Sequence, residues 1–247
     1  MSESTGAQFY KTLSADQTKG NYQKTRWDTP IGRGHFETTQ KTIVERAFPI
    51  ARNMHRYLEL GPGPGTWTKL FVETHPDASF TLVDISEEML GQAKRELNVD
   101  TIEYVLSDFR EYEGHTGAVD FFFSSRAIEY IEDKGMVAGK VASLLKDGGK
   151  GFIITKCGHP LRDSLRGRKL PERHAHQTTP RVFIRELKKA GLKVTSFGTA
   201  AVTVPLAHNP GLNTFVWKIA QFLPAVLRPF GIAESFWVSF EKPSARA

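Results

Sequence analysis

The sequence has a single cysteine, Cys157, among its 247 residues. One thiol excludes an internal disulfide framework and any zinc site built on clustered cysteines. Long apolar runs are missing too: none approaches the ~18 residues that a membrane-spanning helix needs. Met1 to Lys24 is polar and holds no apolar secretory core, so the expectation is a cytoplasmic protein. Neither an internal repeat nor a low-complexity segment occurs. The 40% of hydrophobic residues suffices for the core of one large, decorated α/β domain.

The most informative positive feature is the stretch from Tyr57 to Thr66. A short apolar run, Tyr57 to Leu60, ends in Gly61, Gly63 and Gly65 alternating with Pro62 and Pro64, and a helical pattern with Trp67, Leu70, Phe71 and Val72 follows. Strand, tight turn and helix in that order bring a ligand against bare backbone at a helix N-terminus. A second strand, Phe80 to Val83, ends in Asp84, nineteen positions after Gly65. A carboxylate there is placed to hold ribose hydroxyls. The dinucleotide fingerprint is not met, because its sixth position is Thr66, and Glu59 just before the turn is ill suited to a pyrophosphate. A carboxylate aimed into a cleft suits an ammonium or a sulfonium.

On Glu59-Leu60-Gly61-Pro62-Gly63-Pro64-Gly65 the chain resembles the class I S-adenosylmethionine-dependent methyltransferases, within their type 11-like and ubiquinone/menaquinone methyltransferase-like group. The neighbours extend the resemblance. Ser86 can cap a helix whose apolar face starts at Met89. A third strand, Ile102 to Leu106, ends in Ser107-Asp108-Phe109. A fourth, Ala118 to Ser124, is apolar almost throughout, as a strand buried on both faces should be. Asp147-Gly148-Gly149 reads as a helix stop and Gly151 to Ile154 as a fifth strand.

The resemblance implies a three-layer, Rossmann-like α/β sandwich with a seven-stranded, mostly parallel sheet and an antiparallel last strand. It implies S-adenosyl-L-methionine as cofactor and methyl transfer as activity; no metal is expected, because His174 and His176, two apart, have no clear carboxylate partner. Its cofactor site would comprise Glu59, Gly61, Gly63, Gly65, Asp84, Ile85, Met89, Asp108, Phe109 and Ser125. Asp84 would hold the ribose, and Asp108 with Phe109 the adenine. Arg126 would face the reacting centre, with His159 the preferred general base and His174, His176 and Glu129 as alternatives.

Charge is uneven. The net charge is +6, yet residues 155–193 carry eleven cations against three acids, a local excess of eight, leaving −2 elsewhere. This segment includes Arg166 and Arg168 and falls where the family builds its substrate side, so an anionic small-molecule or lipid-linked acceptor is expected. A solvated loop and helix face is the competing explanation. Nucleic acid is disfavoured: no long basic tail exists, and Ser124-Ser125-Arg126-Ala127 replaces the Asn/Asp-Pro-Pro-aromatic turn of many amino-methyltransferases.

Residues 1–40 read as a lid or arm in which Tyr22 or Trp27 either covers the cofactor or anchors the arm. Residues 41–247 form one domain with substrate-side insertions at about 156–180 and 203–233. Thr179-Pro180 opens a helix closed by Gly191. Leu192 to Gly198 and Ser235 to Phe240 form an edge pair of strands. Between them an apolar stripe at helical spacing, Leu212 to Phe230, is open to three uses: packing, peripheral membrane contact or dimerisation. The alternatives to methyl transfer to a small molecule are nucleoside binding without methylation, aminopropyl transfer, and nucleic-acid methylation.

Overall fold

The computed structural model describes residues 5–18, 21–158, 176–204, 209–223 and 233–244. Seven strands build one sheet: β1 Arg56–Leu60, β2 Ser79–Asp84, β3 Ile102–Leu106, β4 Val119–Ser125, β5 Leu145–Lys156, β6 Lys193–Val202 and β7 Ala233–Glu241. Their spatial order is β3-β2-β1-β4-β5-β7-β6. The first five are parallel to one another, and β7 lies antiparallel between β5 and β6. This is the expected sandwich, with the last strand inserted one place inside the edge.

The alternation of side chains explains why both faces are covered. Along β4, Phe121 and Phe123 enter one core while Phe122 enters the other, and all three are buried. One face packs on the helices Lys134–Leu144 and Pro180–Lys189 through Val137, Val141, Phe183 and Leu187. The other packs on Ile43, Ala47, Phe71 and Ala93, from helical segments before β1, after β1 and after β2. A strand apolar on both faces needs helices on both sides, and the parallel crossovers supply them.

Several boundaries differ from the sequence reading. The helix Pro30–Thr42 continues through a π-helical turn, Ile43–Ala47, into Phe48–Ala51, so one continuous helical stretch crosses residue 40. β5 starts at Leu145, because the chain leaves the preceding helix directly into extended backbone and turns through Gly148 at φ +75°. Thr179 caps its helix by accepting from the Val182 amide, and Gly191 follows with φ +81°. The helix Pro210–Phe222 buries Asn213, Trp217 and Ala220, not the expected apolar stripe. The Trp217 indole donates to the Thr199 carbonyl, which rotates Leu212, Phe215, Ile219 and Phe222 outward.

Candidate active site

The strand order reverses between β1 and β4, which share a parallel register from Tyr57↔Phe121 to Leu60↔Ser124. Ligands of open α/β sheets bind beyond the carboxyl ends of strands at such a point. Here the chain leaving β1 turns through Gly61, Gly63 and Gly65, at φ +68°, +56° and +80°. Each is left-handed backbone that side chains resist. The Gly61 amide donates to the Val83 carbonyl, tying the turn to β2. A Cβ on Gly61 would lie 2.3 Å from that of Ala127, and one on Gly65 would meet Leu97 at 3.1 Å. Gly63 has nothing within 4 Å of that position: its bare backbone faces a cleft of about 970 Å³, counted with its open mouth.

Three acids surround this turn. The Asp84 carboxylate accepts from the Gly63 amide at 3.1 Å and the Ser86 amide at 3.0 Å. Burial raises its pKa to about 6, against the pull of those amides. Glu59 is fully buried; its Oε2 accepts from the Tyr57 and Thr68 hydroxyls, both at 2.7 Å, while Oε1 has no partner. Burial dominates again, with a contribution from Asp84, and its pKa rises to about 7. Asp108 is held differently: Arg110 donates to it from its backbone amide at 2.8 Å and its guanidinium at 3.0 and 2.6 Å. Burial opposes ionisation of Asp108, but Arg110 prevails and keeps its pKa below the usual carboxylate value.

Beside the turn, past the end of β4, lies a polar network. Arg126, just past β4, adopts φ +66°, a strained conformation for a residue with a side chain. Its Nε donates to Glu129 at 3.1 Å, and its Nη2 lies 3.7 Å from Glu234. Fully buried Glu129 also accepts from the Thr155 hydroxyl and the Lys156 amide. Burial would raise its pKa, but Arg126 and then Lys156 outweigh that and lower it, so Glu129 is a poor base. From the N-terminal segment, Tyr10, Tyr22, Arg26 and Trp27 line the same cleft. Trp27 also packs edge-on against Phe36, which stacks on Trp67 at 4.9 Å. One aromatic thus both anchors the segment and forms cleft wall.

The structure brings Gly61, Gly63, Asp84, Ile85, Met89, Asp108, Phe109, Ser125 and Arg126 to this one cleft. Glu59 and Gly65 stand behind its wall. His159 and His174 lie outside the described residues, as do Arg162, Arg166, Arg168, Lys169 and Arg173. Of the described cations in the basic segment, Arg185 and Lys189 pair with Glu186, and Lys193 with Glu241. Sequence reasoning missed Tyr10, Arg26 and Tyr130 as a group, and Gln92. Nothing in local spacing joins residues over a hundred positions apart. Gln92 shows only as one polar residue on an amphipathic helix.

The chemistry of the cleft fits S-adenosylmethionine. The open space beside Gly63 accepts a ligand against backbone, the Ser125 hydroxyl at the mouth is buried without a partner, and acids flank the turn where a cation would sit. Comparison with known proteins agrees. A methyltransferase-domain family model matches residues 58–149. The chain is 28% identical to malonyl-[acyl-carrier protein] O-methyltransferase 1 of Ilyobacter polytropus, over 47% of this chain and 44% of that one. It is 33% identical to trans-aconitate 2-methyltransferase of an Enterobacter species, over 43% and 44%. It therefore spans less than half the length of either relative. Among solved structures it superposes on phosphoethanolamine N-methyltransferase 2 of Haemonchus contortus, bound to S-adenosyl-L-methionine, with TM-score 0.64 and 16% identity, covering 94% of this chain and 61% of that one. The domain match covers the glycine turn, Asp84, Asp108 and Glu129, so over residues 58–149 the chain is similar to a methyltransferase domain.

Proposed function

We propose that this protein transfers a methyl group from S-adenosylmethionine to a small-molecule acceptor that carries negative charge. The observation that carries the reading is the lining of the cleft, which combines carboxylates and bare glycine backbone with guanidinium and phenol groups. When bound, S-adenosylmethionine supplies an electrophilic methyl group on a sulfonium. The Gly61–Gly65 backbone and Glu59 would seat its amino-acid end, Asp84 the ribose, and Asp108 with Phe109 the adenine. Ile85, Met89 and Ser125 would complete that pocket. Much of the acceleration of an in-line displacement comes from holding the acceptor atom in line, a task for Arg126 and the segment carrying Tyr10 to Trp27. His159 keeps its place as the proposed base, worth ~10²–10⁴-fold for a hydroxyl acceptor.

The names of the two sequence relatives specify carboxylate-bearing acceptors, which supports the anionic reading for this chain. Lipid-linked acceptors and peripheral membrane contact belong to the same proposal, supported by the exposed apolar stripe Leu212, Phe215, Ile219 and Phe222. No helix among the described residues is long and apolar enough to cross a membrane.

Thermal unfolding with S-adenosylmethionine, S-adenosylhomocysteine and NADH tests the cofactor. Saturation to ~100 times Kd adds ~2.7 kcal/mol, or about 5–10 °C for a chain of this size. The expected outcome is a shift with the two sulfur nucleosides only, followed by release of S-adenosylhomocysteine with a carboxylate or lipid-linked acceptor. A shift with NADH alone overturns the reading. Binding without turnover on any acceptor would favour a nucleoside-binding protein.

A further inference from the structure

Arg26 stands out among the cations of the cleft. Arg126 is answered by Glu129 and Glu234, and Lys156 by Glu234, so these four charges balance. Arg26 makes no ion pair among the described residues. Its Nη1 donates to the Tyr22 hydroxyl at 2.9 Å, and its guanidinium lies over the rings of Trp27 and Tyr22, 5.0 and 5.7 Å from their centres. The Tyr22 hydroxyl is 2.9 Å from that of Tyr10, which is 3.3 Å from that of Tyr130. One cation and three phenols thus gather on one wall.

A guanidinium has five N–H donors and is always ionised. Among the described residues one of these donors reaches a side-chain hydroxyl, that of Tyr22, and a cation withdrawn from water without an anion is costly. The carboxylate whose charge acts on it, Glu129, has both oxygens committed elsewhere. Tyr10 and Tyr130 cannot serve as counter-anions, because burial raises the pKa of Tyr10 well above its ordinary value and that of Tyr130 to about 12. They remain neutral hydroxyls, able to donate to an oxyanion. The wall holds a surplus positive charge, planar bidentate donors and neutral donors beside them, which is the chemistry that binds carboxylate or phosphate.

We propose that Arg26, with Tyr10, Tyr22 and Tyr130, forms the receptor for an oxyanion group of the methyl acceptor, carboxylate or phosphate. This rests on the methyltransferase reading above and moves anion recognition from the basic segment 155–193 to the N-terminal segment. The acceptor's charged group anchors at Arg26, within the same cleft as the glycine turn, so its remaining atoms lie within reach of the cofactor.

The test is calorimetric titration of the full chain with malonate, with inorganic phosphate and with uncharged malonamide, each with and without saturating S-adenosylhomocysteine. Malonate or phosphate should bind and malonamide should not; whichever anion binds more tightly identifies the source of the oxyanion. Arg26→Met should weaken that anion about 10- to 100-fold, the worth of a lost charged hydrogen bond, with S-adenosylhomocysteine affinity unchanged. Arg26→Lys should recover part of the loss. Tyr22→Phe, which keeps the ring and the charge, should weaken the anion by a smaller factor and guards against misfolding of the Met variant. Anion affinity unchanged in both Arg26→Met and Tyr22→Phe, or equal binding of malonamide, overturns the proposal. If S-adenosylhomocysteine fails to bind the wild type, the methyltransferase reading falls, while the titrations without it still decide whether Arg26 holds an anion.

Discussion

Gly61 and Ala127 touch across the point where the strand order reverses. A Cβ on Gly61 would come within 2.3 Å of the Cβ of Ala127, and Gly61 itself sits at φ +68°. The turn after β1 and the segment after β4 are therefore packed with no room between them, and the cleft opens only beyond this contact, at Gly63. The two glycines serve different ends, and alanine substitution separates them. Gly61→Ala should cost about 1–3 kcal/mol from overpacking and about 1–2 kcal/mol from the left-handed backbone. Gly63→Ala should incur only the backbone cost, because its Cβ meets nothing. In the second variant that methyl points into the cleft, so nucleoside affinity should fall further than stability does. Urea unfolding and calorimetry on both variants check the split.

Glu59 gives the protein a specific pH signature. Its pKa is raised by burial from 4.5 to about 7, so the folded state holds this proton more tightly than the unfolded chain. The linked destabilisation is absent below pH 4.5, grows between 4.5 and 7, and is complete above 7. Glu59→Gln removes that titration. Its amide oxygen can still accept from Tyr57 and Thr68, but its NH₂ inherits the orphaned position of Oε1, at about 1–3 kcal/mol. The pH slope is thus the quantity to read. Stability of the variant relative to wild type should rise from pH 4.5 to 7 and level off above, by a few kcal/mol in all.

How far the sequence exposed this site follows from the range of each interaction. Gly61, Gly63, Asp84 and Asp108 lie at strand ends within fifty residues of one another, and a parallel sheet puts consecutive strand ends on one rim. Alternating or continuous apolar patterns mark those strands, so local reading reaches the residues proposed for the cofactor. The residues proposed for the acceptor depend on contacts such as Tyr10 with Tyr130 and Arg126 with Glu234, which no periodicity encodes. The orientation of the helix Pro210–Phe222 was illegible for another reason. Its apolar residues cover more than one face, and the packed face is the one whose Trp217 and Gln221 donate to the Thr199 carbonyl and whose Asn213 accepts from the Val204 amide.

Glu129 should be structural in effect though it lies beside the cleft. Its carboxylate accepts from Arg126, Thr155 and Lys156 and is fully buried. Removing one partner of such a cluster leaves an uncompensated charge, at about 3–5 kcal/mol. Because the folded pKa is lowered below 4.5, this stabilisation is present above that pH and lost as pH falls through the depressed value. Glu129→Ala should therefore be markedly less stable than wild type at pH 7, and the gap should narrow in acid. Chemical unfolding at pH 7 and pH 3.5 is the check; a gap that stays constant would assign Glu129 no such role.

The outward stripe of Leu212, Phe215, Ile219 and Phe222 is 38–89% exposed. Interfacial helices bind through buried apolar area. The double variant Phe215→Ser, Phe222→Ser leaves the packed face of Trp217 and Ala220 untouched, so stability should change by less than about 0.5 kcal/mol. Co-sedimentation with anionic liposomes should fall several-fold. Equal sedimentation of both proteins would remove membrane contact from the proposed function.

Gln92 is the last residue whose role is sharp enough to test. It lies on the helix Glu87–Leu97, nearly two turns beyond the Ser86 cap that follows Asp84, and is 3% exposed. Its Oε1 accepts from the Tyr22 amide at 3.1 Å, and its Nε2 donates to the Thr18 hydroxyl at 3.0 Å and to Glu88 at 2.7 Å. Thr18 in turn donates to Glu88. One amide thus fastens the segment carrying Tyr10, Tyr22 and Arg26 to the helix that begins beside the ribose-side acid. Gln92→Ala strands the Tyr22 amide and should cost about 1–3 kcal/mol, concentrated where the latch acts. Amide hydrogen exchange should accelerate across residues 8–27 while that of β1 and β4 stays slow. S-adenosylhomocysteine should still bind, with affinity reduced only by the cost of reclosing the segment. Gln92→Glu keeps the acceptor for Tyr22 but sets a second carboxylate against Glu88, so it should loosen the latch more at pH 8 than at pH 4. Uniform exchange across the whole chain in Gln92→Ala would mean the residue supports the fold at large and not the segment.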